Sequence, residues 1–91
     1  MNKQQEAYQE KIEAQLKEWS AQIDGLKAKA QKAEADAKLK YYDAIEDLRI
    51  KENAVRQKLT GLKDAGGDAW ENLKAGVEAA VQSLREALSK Q

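Results

Sequence analysis

Apolar residues recur at every third or fourth position over most of this chain. The series runs Tyr8, Ile12, Leu16, Trp19, Ile23, Leu26, Ala30, Ala33, Ala37, Tyr41, Ile45 and Leu48. Glu52 takes the next slot, and the series resumes at Val55, Leu59 and Leu62. Such steps place every member on one face of an α-helix, with polar residues around the rest of the cylinder. No proline interrupts the run, and alanine, glutamate, lysine, glutamine and leucine, all strong helix formers, fill most of it. The pattern predicts a single helix over 1–64, about 90 Å long. Acid-to-base pairs at i,i+4 support it: Glu13–Lys17, Glu34–Lys38, Asp36–Lys40, Asp47–Lys51 and Glu52–Arg56, with Glu86–Lys90 further on. Each contributes only ~0.2–0.5 kcal/mol, so the stripe outweighs them.

Two sites test the continuity of this helix. Asp24-Gly25 has the composition of a turn and is the alternative position for a helical hairpin. The stripe nevertheless keeps its phase through Trp19, Ile23, Leu26 and Ala30, with Gly25 on the outer face, so the helix is expected to continue. Gly61, Gly66 and Gly67 form the second site. Glycines of this kind end helices in the left-handed conformation. Asp68, with Glu71 three residues later, resembles the start of a new helix, its carboxylate accepting from exposed N–H groups. The chain is therefore divided into a helix over 1–64, a glycine hinge at 65–68 and an amphipathic helix over 69–91. Trp70, Leu73, Val77, Val81, Leu84 and Leu88 form the packing face of that last helix.

The period of the stripe is mixed. Trp19 to Ala37 follows a heptad pattern, which favours a left-handed supercoil. Tyr8 to Trp19, Ala37 to Leu48 and Leu73 to Leu84 step four, four and three, an eleven-residue pattern that unwinds it. Alanines crowd at 28, 30, 33, 35 and 37, and predict a close helix–helix crossing there.

Composition narrows the function classes. With 16 basic and 16 acidic side chains spread evenly, no basic arm exists to track a phosphate backbone, and nucleic acid is not an expected partner. The same balance disfavours a membrane surface. No stretch approaches the ~20 apolar residues of a membrane span. The polar start, from Met1, leads into no signal-peptide core, and a cytoplasmic location is expected. Histidine and cysteine are absent, which removes the usual general base, the thiol nucleophile and the commonest metal ligands. Asp43, Glu46 and Asp47 cluster on one turn, and are expected to be a solvated acidic surface rather than a metal site. No catalytic residue and no cofactor is expected. Trp19 and Trp70 are expected as large core side chains, Tyr41 as a member of the seam and Tyr42 as its neighbour with a wet hydroxyl.

The segment from Asp68 through Trp70, Leu73 and Lys74 to Gly76, after a long Glu/Lys/Ala helix, resembles the C-terminal part of small uncharacterised bacterial coiled-coil proteins. The resemblance covers the layout and about twenty residues. It implies a soluble, all-helical bacterial protein and carries over no catalytic or binding residue. Exchangeable apolipoproteins and phasins are similar in composition and in the eleven-residue period alone.

The expectation is thus an all-α coiled-coil protein, not an enzyme, that scaffolds or assembles. The stripe from Tyr8 to Leu62 would be its oligomer interface, buried against further copies in a closed oligomer or an open filament. Another protein is the alternative partner. The alternative function is reversible binding of a lipid surface or client protein, or inhibition of a partner enzyme by a presented helix. Glu52 in the stripe and the glycine hinge favour that alternative, because both weaken permanent assembly.

Overall fold

The computed structural model describes residues 2–91. They form three helices and no strand: α1 over Lys3–Lys32, α2 over Ala35–Lys63 and α3 over Gly67–Ser89. Arg49 on α2 meets Asp24 on α1, and Lys63 meets Glu13, so α2 runs antiparallel to α1. Gly76 on α3 lies over Lys58 on α2, while Tyr8 on α1 meets Trp70 and Glu78 on α3. The third helix is therefore parallel to the first. The result is an up-down-up bundle measuring 51 × 18 × 18 Å.

This corrects the single helix over 1–64. A helix of that length would be about 90 Å, far beyond the 51 Å observed. The chain reverses at Ala33 (φ −81°, ψ 157°) and Glu34 (φ −69°, ψ 161°), two extended residues between α1 and α2. It does not reverse at Gly25, which lies inside α1. The reason is energetic. A straight helix leaves its apolar face in water, whereas folding in half lets the face cover itself. Burial of each leucine- or isoleucine-sized side chain contributes ~1.5–3 kcal/mol, and several such gains exceed the loss of a few helical hydrogen bonds at ~1 kcal/mol each.

The core confirms what the reversal achieves. Ile12, Leu16, Trp19, Ile23, Leu26 and Ala30 from α1 are buried against Leu48, Val55, Leu59 and Leu62 from α2. Trp70, Val77, Val81, Leu84 and Ala87 from α3 close the third side. Tyr8, Tyr41, Ile45 and Leu88 are half-buried at its margins. Leu73, expected in the α3 face, is 38% exposed, and Ala87 is buried in addition. Ala33 is half-buried and Ala37 exposed.

The helix ends are made differently from one another. Asn2 caps α1 reciprocally: its side chain accepts from the Gln5 N–H at 2.8 Å, and its own N–H donates to Gln5 Oε1 at 3.3 Å. The second break falls at the glycine cluster as expected, but its chemistry is different. Gly66 is the N-cap of α3 at φ −74° and ψ 166°, no glycine has a positive φ, and no side chain caps the helix. Asp68 lies within the first turn instead, where its charge favours the helix dipole.

An oxygen-bearing side chain at position 66 should therefore improve the fold. The backbone already suits any L-residue, and a Cβ there meets nothing within 4 Å. Gly66→Ser is expected to raise unfolding free energy by about 0.5–1 kcal/mol, measured by urea denaturation with an unchanged slope.

Candidate functional site

Every large apolar member of the predicted interface lies inside one chain or at its margin. Ala37 is the exposed member. The bundle thus leaves three other places where side chains gather: a polar seam between α1 and α2, an aromatic cluster at the end shared by α1 and α3, and the outer face of α2.

The seam is built around Glu52. Its slot in the stripe makes it face the interior, where it is 5% exposed. Arg49 and Arg56 flank it from the preceding and following turns, at 3.1 Å and 3.5 Å. Arg49 also reaches across to α1, donating to Asp24 Oδ1 at 2.6 Å and Ser20 Oγ at 3.4 Å. Burial works to lower the Arg49 pKa, but the hydrogen bonds and charges of Asp24 and Glu52 hold it above its ordinary value. One guanidinium therefore ties the two helices together and compensates a buried carboxylate. Two outward-facing pairs add little: Lys51 with Asp47 at 2.6 Å, and Lys63 with Glu13. Glu13 pairs across helices rather than with Lys17, and Glu86 accepts from Gln82 at 3.0 Å.

The aromatic cluster joins α1 to α3. The Tyr8 and Trp70 rings meet edge to face at 5.7 Å. The Lys74 ammonium lies 4.9 Å from the centre of the Tyr8 ring and 5.4 Å from that of Trp70, within cation–π range. The Tyr8 hydroxyl donates to Glu78 at 3.0 Å. Burial, then the hydrogen bond and charge of Glu78, push this phenol well above its usual range. The buried N–H groups of Trp70 and Gln9 have no partner among the described residues. This arrangement fastens two helices together and leaves Trp70 inside the core.

The outer face of α2 carries the exposed apolar residues Leu39 (65%), Tyr42 (45%) and Ile50 (63%). Leu39 and Ile50 stand three turns apart on one line of the helix. Asp43 and Glu46 fall between them, and neither forms an ion pair among the described residues. Sequence reasoning missed this face because the larger stripe dominated the pattern. Its signal was the pair of apolar residues, Leu39 and Ile50, left off that stripe. Among the described residues, no three carboxylates converge on a metal-sized site, and no helix is long and apolar enough to cross a membrane.

Both interhelical ties have measurable consequences. Arg49→Met should destabilise the bundle more when Glu52 is present than in a Glu52→Leu background, with a coupling on the order of 1 kcal/mol in a double-mutant cycle. Equal costs in both backgrounds would show that Glu52 does not depend on Arg49. Tyr8→Phe should cost about 1 kcal/mol at neutral pH. Because the folded phenol titrates above the unfolded one, its contribution is complete below about pH 10 and is lost as pH rises beyond that value. The variant's alkaline unfolding curve should accordingly be shallower than that of the parent.

No protein-family model matches the chain, and neither does any curated protein or solved structure.

Proposed function

We propose that this protein is a non-enzymatic binding module that docks a basic amphipathic segment of another protein on the outer face of α2. The observation that carries this reading is the line of exposed apolar residues Leu39, Tyr42 and Ile50 on that face, with the carboxylates of Asp43 and Glu46 set between Leu39 and Ile50 and in no ion pair among the described residues. The main stripe is already occupied within the chain, so a partner has to meet the bundle elsewhere. Apolar residues that alternate with one sign of charge along a helix suit a partner helix with the opposite sign.

The charge pattern also argues for the kind of partner. Two copies of the face packed antiparallel about its centre would set Asp43 and Glu46 against each other, a repulsive arrangement. A segment with leucine-like residues at helical spacing and lysine or arginine beside them avoids that repulsion. Lys40 and the Asp47–Lys51 pair border the face and limit its acidic part to the two central turns.

Two synthetic amphipathic peptides, one of leucine and lysine and one of leucine and glutamate, test the reading by amide chemical-shift titration. The lysine peptide should shift resonances of 39–50 and the glutamate peptide should not. Asp43→Asn with Glu46→Gln should weaken binding about tenfold, the effect of losing 1.4 kcal/mol, and added salt should weaken it as well. Shifts spread over the whole bundle, or equal binding of both peptides, would overturn the proposal. A response of α2 to lipid vesicles and not to either peptide would replace the protein partner with a lipid surface.

A further inference from the structure

We infer that Ala33–Glu34 is a hinge through which two copies of this chain exchange helices, α1 and α2 of each copy straightening into one continuous helix. The inference stands apart from the binding face of α2 and rests on a conflict between local sequence and local structure.

The reversal occurs where nothing in the chain asks for one. Lys29 to Lys38 reads Lys-Ala-Gln-Lys-Ala-Glu-Ala-Asp-Ala-Lys, with no glycine and no proline. Its residues favour helix over an extended connection. The caps are correspondingly poor. No side chain caps α2, and the Ala33 N–H reaches back to the Ala30 carbonyl at 3.2 Å in a tighter turn than the helix proper. The helix termini on both sides of the connection leave backbone groups without helical partners. Straightening would restore those bonds.

The stripe also keeps its phase through the hinge. Ala30, Ala33, Ala37 and Tyr41 follow one another at three, four and four residues, a regularity that a hairpin does not require. In the bent chain Ala33 and Tyr41 are half-covered and Ala37 is exposed. In two straightened chains crossing at this point, the same residues would form a seam of small side chains in which backbones approach closely.

The second copy needs no new complementary surface, because it is identical to the first. Besides its share of the apolar core, α1 meets α2 and α3 through Asp24 and Ser20 with Arg49, Glu13 with Lys63, and Tyr8 with Trp70, Lys74 and Glu78. In the exchanged dimer each is remade between chains. Bent monomer and straight dimer therefore differ chiefly at the hinge and in the entropy of association, which protein concentration offsets.

The hinge geometry supplies a selective variant. Glu34 has φ −69° and the preceding Ala33 has ψ 157°, the values that proline and its predecessor adopt. The Glu34 N–H donates no backbone hydrogen bond at the connection. Glu34→Pro thus fits the bent chain and obstructs the straight one.

The experiment combines sedimentation with distances between spin labels on Lys17→Cys and Gln57→Cys. Chain refolded at high concentration should contain a dimer whose fraction grows with concentration. Doubly labelled chain mixed with excess unlabelled chain before refolding should then give, in the dimer fraction, an intrachain separation of about 60 Å. Adjacent packed helices would instead place the labelled backbones about 10 Å apart. Glu34→Pro should keep its helicity and stay monomeric at concentrations tenfold above those at which the parent dimerises. Three results would overturn the inference: a parent that is monomeric throughout, a dimer with only the short intrachain separation, or a Glu34→Pro chain that dimerises equally or loses its helicity.

Discussion

An apolar face some fifteen helical turns long has to be covered, and this chain covers it with itself. The first half of the stripe becomes the wall against which the second half packs, so Ile23 and Leu48, both fully buried, stand in one interior although they belong to one line of the sequence. The exposed ion pairs and helix caps act on a smaller scale, each contributing ~1 kcal/mol or less. What the apolar residues leave undetermined is the register, because alanines and leucines slide past each other with modest penalty. Arg49 supplies that specification by reaching Ser20 and Asp24 on the facing helix while compensating Glu52. A carboxylate in an apolar stripe, which weakens assembly when read in isolation, becomes a registration mark once its cations are seen.

The all-α class and the glycine break were legible because each has a local cause. Periodicity announces a helix, and a cluster at Gly61, Gly66 and Gly67 interrupts one. The detail of that break was less legible: Asp68 carries an N-cap's side chain, yet the helix begins one residue earlier with Gly67, and Gly66 adopts an ordinary extended conformation. The reciprocal cap of Asn2 and Gln5 was not anticipated from the sequence. The first reversal had no local cause at all. Ala33 and Glu34 are helix formers, and the phase of the stripe survives them. The bend follows from a tertiary gain that no window of neighbouring residues contains.

The candidate sites divide in the same way. Leu39, Tyr42 and Ile50 lie off the main stripe, so their exposure is a consequence of the pattern. The bond from Tyr8 to Glu78 and the seating of Lys74 over the Tyr8 ring join residues more than sixty apart, and only the direction of the third helix brings them together. Trp19 and Trp70 are both core side chains, 7% and 6% exposed.

The short connections also bear on how quickly the bundle assembles. Helix α2 packs on both neighbours, while α1 and α3 meet only lightly, so most tertiary contacts join elements adjacent in sequence. Chains with such local topology close small loops before large ones and fold rapidly. The Tyr8–Trp70–Glu78 junction is the exception, since it closes nearly the whole chain into one loop. Either helical hairpin is complete without it, so the junction has the character of a latch fastened after folding rather than a nucleus that starts it.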